Sequence, residues 1–128
     1  MAVKPNAGDK LKLARKHLER VQAAWDTPTD WTDLSIYGLY CLEAAVEAAA
    51  RHVGLATSQK HWEKADTARE LHKKHGLPDI EQLLREINTA RKAEAYGDVP
   101  DPGLDAEEVA SEIERYVDAV GELLEGES

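Results

Sequence analysis

The sequence predicts an all-α fold, an up-and-down bundle of four to five helices that forms one domain. The chain has 128 residues, which is the size of one ordinary domain. Apolar residues make up 42% of it, enough to close a core and too much for a disordered chain. Ala, Leu, Glu and Lys are plentiful and runs of β-branched residues are absent, a composition that favours helices. We expect the core to span about residues 8–124, with polar termini.

The first two helices are predicted from apolar residues that recur every three or four positions. A first helix over about residues 8–25 has one apolar stripe, formed by Leu11, Ala14, Leu18, Val21 and Trp25. After the tract DTPTD, Asp30 can cap a second helix over about residues 31–53, with Asp33 three positions later. We expect this helix, the most apolar part of the chain, to be central. Its small residues would let another helix of this chain or of a second copy approach closely: Gly38, Ala44, Ala45, Ala48, Ala49 and Ala50.

The next two helices are delimited by glycine, proline and aspartate. A third helix over about residues 58–75 should end at Gly76, which Pro78 soon follows. Asp79 can then cap a fourth helix that ends near Tyr96. The apolar stripe of this fourth helix consists of Ile80, Leu83, Leu84, Ile87 and Ala90.

The last helix follows the loop DVPDPGLD, which contains two prolines and a glycine. Asp105 with Glu108 resembles a capping box. The polar residues 125–128 should fray. The apolar stripe of this helix consists of Val109, Ile113, Val117, Val120 and Leu124.

Charge and cysteine content limit the classes of function. The formal net charge is −9, and residues 98–128 hold eleven acidic residues against one basic residue. The remaining residues are almost neutral, so strong, constitutive nucleic-acid binding is disfavoured. An anion could still meet the cations near the start of the chain, which are Lys10, Lys12, Arg15, Lys16 and Arg20. Cys41 is the only cysteine, and no apolar run approaches a membrane span or a secretory signal, so we expect a soluble, cytoplasmic protein.

Common catalytic and metal-binding motifs do not occur in the sequence. It contains no GxxxxGK[ST], GxGxxG, GxSxG or HExxH pattern. His72 and His75 are three positions apart, yet histidines beside lysines are typical of a solvated basic face. Cys41 lies in the most apolar helix, where a small buried side chain is expected. We therefore expect no metal site and no cofactor.

The most distinctive local stretch surrounds the end of the fourth helix. It places Arg91, Glu94, Tyr96 and Asp98 around one helix terminus. Arginine can hold a phosphate through two hydrogen bonds, and tyrosine can stack on a base or donate a hydrogen bond. These four residues are the candidate ligand-binding site. The alternative is structural: Arg91 pairs with a carboxylate, and Tyr96 packs across the last helix.

Two segments together with the acidic last helix resemble the HEPN superfamily. The segments are YGLYCLEAA at residues 37–45 and ARKAEAYGD at residues 90–98, and the resemblance covers about residues 31–124. It implies an up-and-down helical bundle that is usually dimeric. It also implies a nucleotidyltransferase partner in a toxin–antitoxin or defence system. We therefore expect a homodimer.

The resemblance also implies a catalytic pattern in which an arginine, four to six residues and a histidine cut RNA without metal across a dimer. Arg91 matches the arginine, but Tyr96 occupies the histidine position. An unperturbed phenol, with a pKa of about 10, is a poor proton acceptor at neutral pH. Arg69 and His75 have the required spacing but lie on the third helix, with Glu70 where the family more usually has Asn, His or Asp.

These observations predict a non-catalytic HEPN-like module that binds a nucleotide, RNA or a protein partner around Arg91 and Tyr96. Two alternatives stay open. The first is a metal-independent ribonuclease or toxin that uses Arg91 with Tyr96, or Arg69 with His75. The second is a plain helical interaction protein whose acidic last helix meets a basic partner.

Overall fold

The all-α bundle is confirmed. The computed structural model describes residues 6–26, 29–56, 60–96 and 105–126, without the side chains of residue 61 and residues 93–96. Within these ranges there are five helices and no strand. The helices are α1 (Ala7–Ala24), α2 (Trp31–Val53), α3 (His61–His75), α4 (Glu81–Tyr96) and α5 (Ala106–Gly126).

Helix α2 is the central helix, as its composition predicts. It packs against each of the other four helices, while α1 also packs on α5 and α3 on α4. Two helix pairs therefore flank α2, and a groove separates the pairs on either side. One groove lies between α1 and α3, and the other between α4 and α5.

The small side chains of α2 explain how one helix supports four neighbours. All residues from Cys41 to Ala50 are buried. Alanine allows close helix approach, so this segment is buried around its whole circumference. The small residues proposed for contact with another helix are buried within this chain.

The helix starts follow local capping chemistry. Helix α1 begins one residue earlier than predicted, because Asn6 forms a capping box: its Oδ1 accepts a hydrogen bond from Asp9 N at 2.9 Å, and Asp9 Oδ2 accepts one from Asn6 N at 3.4 Å. Asp30 caps α2 as predicted, since its Oδ1 accepts from Asp33 N at 3.0 Å. Asp105 caps α5 in the same way, with 3.1 Å to Glu108 N.

Three other boundaries differ in part from the prediction. Helix α3 starts at His61 rather than near residue 58. It ends at His75 and is followed, as predicted, by Gly76, whose φ of 72° is the left-handed conformation that glycine favours. Asp79 accepts a hydrogen bond from Glu81 N at 3.3 Å, so α4 begins two residues after it. Helix α5 continues through Gly126, two residues into the segment 125–128 that is expected to fray, and residues 127–128 lie outside the described residues.

The predicted apolar stripes form the core, with three exceptions. Leu18, Trp25 and Leu124 are only partly buried and pack against its edge. Tyr116, which the predicted stripe did not include, is completely buried on α5. No helix within the described residues is both long and apolar enough to cross a membrane.

Candidate ligand-binding site

Arg91 lies near the end of α4, and its own helix orients its side chain. The Nη2 atom donates a hydrogen bond to Asn88 Oδ1, one turn earlier, at 3.0 Å. The Nε atom is buried and has no acceptor among the described residues. Arg91 makes no ion pair with any described carboxylate. The carboxylate pairing of the structural alternative is therefore not observed in this part of the chain.

The other predicted site residues are described only in part. Helix α4 continues through Glu94 to Tyr96. At about 100° per residue, the backbone positions of Arg91 and Glu94 are about 60° apart around the helix axis, and those of Arg91 and Tyr96 about 140° apart. The side chains of Glu94 and Tyr96, and all of Asp98, lie outside the described residues.

A groove that contains Asn88, the hydrogen-bond partner of Arg91, adds an aromatic surface that the sequence analysis missed. It lies between α3 and α4, has a volume of about 220 Å³, and contains Trp62 and Asn88 in its lining. Trp62 is 56% exposed, more than any other large hydrophobic residue described. Asn88 joins this groove to Arg91, because the same side chain lines the groove and accepts the hydrogen bond from Arg91. A tryptophan in a helix rich in charged residues was the signal available in the sequence.

The groove also contains Arg85, which is engaged in an exposed ion-pair network. Arg85 Nη2 lies 2.9 Å from Asp66 Oδ1 and 3.0 Å from Glu81 Oε2. Arg69 reaches the same two carboxylates at 3.8 and 3.6 Å. This network joins α3 to α4, and exposed pairs of this kind each contribute little to stability. Arg85 and Arg69 therefore already have anionic partners.

No described contact brings together Arg69 and His75, the second arginine–histidine pair predicted from the sequence. Arg69 belongs to the ion-pair network, while His75 is exposed at the end of α3. His72 Nδ1 lies 2.7 Å from the carbonyl oxygen of Leu77, a contact that links the end of α3 to the turn that follows it. Among the residues that the structure describes, no three His, Cys, Asp or Glu side chains are grouped to hold a metal ion.

The buried position predicted for Cys41 is confirmed. Its side chain is completely buried, and Sγ donates a hydrogen bond to the carbonyl oxygen of Ala14 at 3.2 Å. Burial raises the pKa of the thiol to about 12. The reactive thiolate is therefore scarce at neutral pH, which argues against a nucleophilic role.

The groove between α4 and α5 is acidic. It has a volume of about 430 Å³, and five carboxylates line it: Asp79, Glu86, Asp105, Glu108 and Glu112. Asp79 and Asp105 accept hydrogen bonds at the starts of α4 and α5, where negative charge is also favoured by the helix dipole. Helix capping therefore accounts for two of these five carboxylates.

Comparison of the chain with protein-family models, with curated proteins and with solved structures finds no match. The resemblance to the HEPN superfamily therefore stays a prediction from the sequence.

Proposed function

We propose that the chain is a non-catalytic, HEPN-like helical module that binds a nucleotide, or the end of an RNA strand, at the groove between α3 and α4. The observation that carries the proposal is the exposed Trp62, which lines the same groove as the asparagine that orients Arg91. Asn88 therefore links the groove that contains the aromatic surface to the guanidinium of Arg91.

Trp62 would supply the surface on which a base stacks. Stacking of a base on an aromatic side chain contributes about 1–3 kcal/mol and requires an exposed ring face. The Lys60 Nζ atom lies over one face of the indole ring, 5.7 Å from its centroid, so a base would stack on the opposite face. A planar base with a nearby phosphate matches this combination of ring and positive charge.

Arg91 would bind the phosphate. One edge of a guanidinium, formed by Nε and one Nη, can donate two parallel hydrogen bonds to an oxyanion. In Arg91, Nη2 binds the single Asn88 oxygen, and Nε has no acceptor among the described residues. A phosphate that displaces Asn88 would satisfy both donors, so ligand binding would complete the hydrogen bonds of this side chain.

A short ligand suits the charge of the chain. Its net charge is −9, which disfavours a long polyanion that relies on many phosphate contacts. A nucleotide or a strand end needs only one or two such contacts. The homodimer, the nucleotidyltransferase partner, the toxin–antitoxin or defence setting and the cytoplasmic location are further parts of the proposal, supported by the sequence resemblance and the lone cysteine.

The proposal is tested by titrating AMP and UMP into the protein while tryptophan fluorescence is recorded. We expect quenching that disappears in Trp62→Phe, which leaves the other two tryptophans in place. Arg91→Gln should weaken binding at least tenfold, about 1.4 kcal/mol. Lys92→Gln removes the same charge from the adjacent exposed residue and should bind normally. Absence of quenching, or equal weakening in both charge variants, would overturn the proposal.

The ribonuclease alternative is tested separately by incubating the protein with a mixed RNA pool in the presence of a chelator. We expect no cleavage. Cleavage that is lost in Arg91→Ala and retained in His75→Ala would instead establish an active enzyme with an altered site. Cleavage lost only in Arg69→Ala and His75→Ala would assign the activity to α3.

A further inference from the structure

Helix α3 buries little apolar surface for its length. Among its fifteen residues, the described apolar side chains that are buried are Ala65, Ala68 and Leu71. Leu71 is the only one of these larger than alanine, whereas each of the other four helices buries at least two apolar side chains larger than alanine. Because hydrophobic stabilisation scales with the apolar area that leaves water, α3 gains less from packing than its neighbours do.

A buried ion-pair cluster accompanies the few apolar contacts between α3 and α2. Lys64 of α3 is only 7% exposed, and its Nζ lies 3.1 Å from Glu47 Oε1 and 3.9 Å from Glu43 Oε1. Both glutamates belong to α2 and are buried. The attraction within a buried ion pair is largely offset by the cost of removing its charges from water. The cluster therefore fixes where α3 lies on α2 without adding much net stability.

The contacts between α3 and α4 include exposed ion pairs. Arg85 of α4 pairs with Asp66 of α3, and Arg69 of α3 pairs with Glu81 of α4. Exposed pairs each contribute little to stability and are screened by salt. Because α3 packs mainly on α2 and α4, these two sets of contacts provide most of its support.

The first turn of α3 also differs from that of other helices in its cap. Asn6, Asp30 and Asp105 each accept a hydrogen bond from a backbone amide at the start of α1, α2 or α5. The corresponding position of α3 is Lys60, whose ammonium group has no acceptor atom. Trp62 lies in this first turn, so the residue proposed to stack on a base belongs to a turn without a side-chain cap.

We infer that α3 opens from the bundle as a unit while the other four helices stay packed. Segments with few buried apolar contacts open first in native proteins, at a lower cost than global unfolding. Helix α2 keeps its contacts with α1, α4 and α5, and α1 keeps its contact with α5, so this core does not depend on α3. An isolated helix of fifteen residues is marginal in water, so α3 loses its helical hydrogen bonds when it opens.

Opening of α3 removes Trp62 from the groove that it shares with Asn88. The groove is therefore complete only while α3 is docked on the bundle. A ligand that contacts both helices binds the docked form alone and shifts the equilibrium towards it. This consequence rests on the proposed function, whereas the opening itself rests on the contacts of α3.

Hydrogen exchange of the wild-type protein at neutral pH, followed by mass spectrometry, tests the inference. We expect the amides of residues 65–75 in α3 to have protection factors lower by about tenfold or more than those of residues 110–124 in α5. Helix α5 is the reference because it also packs on two other helices. Equal protection of the two segments, or an equal loss of protection in α4, would overturn the inference.

A matched pair of variants tests the role of the ion-pair cluster. Lys64→Gln should lower the protection of α3 by a further factor of about ten, because the glutamates that lose their partner regain water when α3 opens. Lys10→Gln removes the other lysine from Glu47, on α1, and should change the protection of α3 much less. Equal effects of the two variants would overturn the role of Lys64 in holding α3 on the bundle.

Addition of AMP separates the opening from the ligand proposal. AMP at a concentration that saturates the fluorescence change should raise the protection of α3, and it should not do so in Arg91→Gln. Quenching of Trp62 fluorescence without protection of α3 would overturn the link between the groove and the opening. An absence of AMP binding would overturn the proposed function and not the opening, which exchange without ligand decides.

Discussion

Tyr116 lies on the apolar face of α5, three residues after Ile113 and four before Val120, although the predicted stripe did not include it. Its side chain is completely buried on α5, and its hydroxyl has no hydrogen-bond partner among the described residues. Burial raises the pKa of this phenol, since the charged form is disfavoured away from water. A buried hydroxyl without a partner costs about 1–3 kcal/mol. Burial of the aromatic ring stabilises the folded state, whereas burial of the unpaired hydroxyl destabilises it.

Tyr116→Phe should therefore stabilise the protein by about 1 kcal/mol, because it removes the unsatisfied hydroxyl and retains the ring. Urea unfolding at neutral pH measures this free energy. Tyr40→Phe is the control: its side chain is exposed, so its hydroxyl can be hydrated, and we expect almost no change. A loss of stability in Tyr116→Phe would reveal a hydrogen-bond partner and contradict the prediction.

At the scale of the element, α5 contains a glycine where helix propensity and close packing oppose each other. Gly121 is buried in the interior of this helix. A Cβ atom at this position would lie 2.7 Å from Arg15 Nη2 of α1, and 4.0 Å from Leu11 Cδ2. The nearest obstacle is the end of a flexible, exposed side chain, so it can move at little cost.

Gly121→Ala should stabilise the protein by about 0.5–1 kcal/mol, since glycine weakens a helix interior relative to alanine by that amount. Thermal and urea unfolding would measure the change, and the same substitution in an Arg15→Ala background removes the close contact. Gly126→Ala, at the end of α5, is the control with a smaller expected effect. Destabilisation by Gly121→Ala in both backgrounds would show that a neighbour other than Arg15 requires the glycine.

At the scale of the whole molecule, Glu47 connects three helices through its ion pairs with Lys10 and Lys64. Burial by itself would raise the pKa of the Glu47 carboxyl, but the two lysines outweigh it and hold that pKa below its ordinary value of 4.5. At pH values close to the folded and unfolded pKa of this carboxyl, the unfolded chain therefore binds more protons than the folded chain. The stabilisation is complete above the unfolded pKa and is lost as the pH falls through the folded pKa.

Glu47→Gln should lower the free energy of unfolding by about 3 kcal/mol at neutral pH, because it leaves the buried Lys64 without its nearer partner. It should also reduce the loss of stability between about pH 7 and about pH 3. Urea unfolding across that range measures both effects. Glu125→Gln, exposed near the end of α5, should change neither. An equal difference from wild type at all pH values would mean that Glu47 does not titrate as inferred.

The sequence by itself determined the helices and most of the core. The helix boundaries depend on capping hydrogen bonds at Asp30 and Asp105 and on the backbone conformation of Gly76. Each of these effects involves only neighbouring residues, so it can be predicted from the local sequence. The apolar stripes have the same local character, because a helix places residues three and four apart on one face. Arg91 was proposed as a site residue from the sequence, and its contact with Asn88 lies within its own helix.

The tertiary structure alone decided which residues meet across helices. It placed Trp62 of α3 in one groove with Asn88 of α4, joined Lys10 and Lys64 to Glu47, and enclosed Tyr116. These facts depend on how the helices are arranged around α2, which helical periodicity does not specify. The physical reason is that capping and periodicity act over one or two turns, whereas burial and contact between helices are set by packing of the whole bundle.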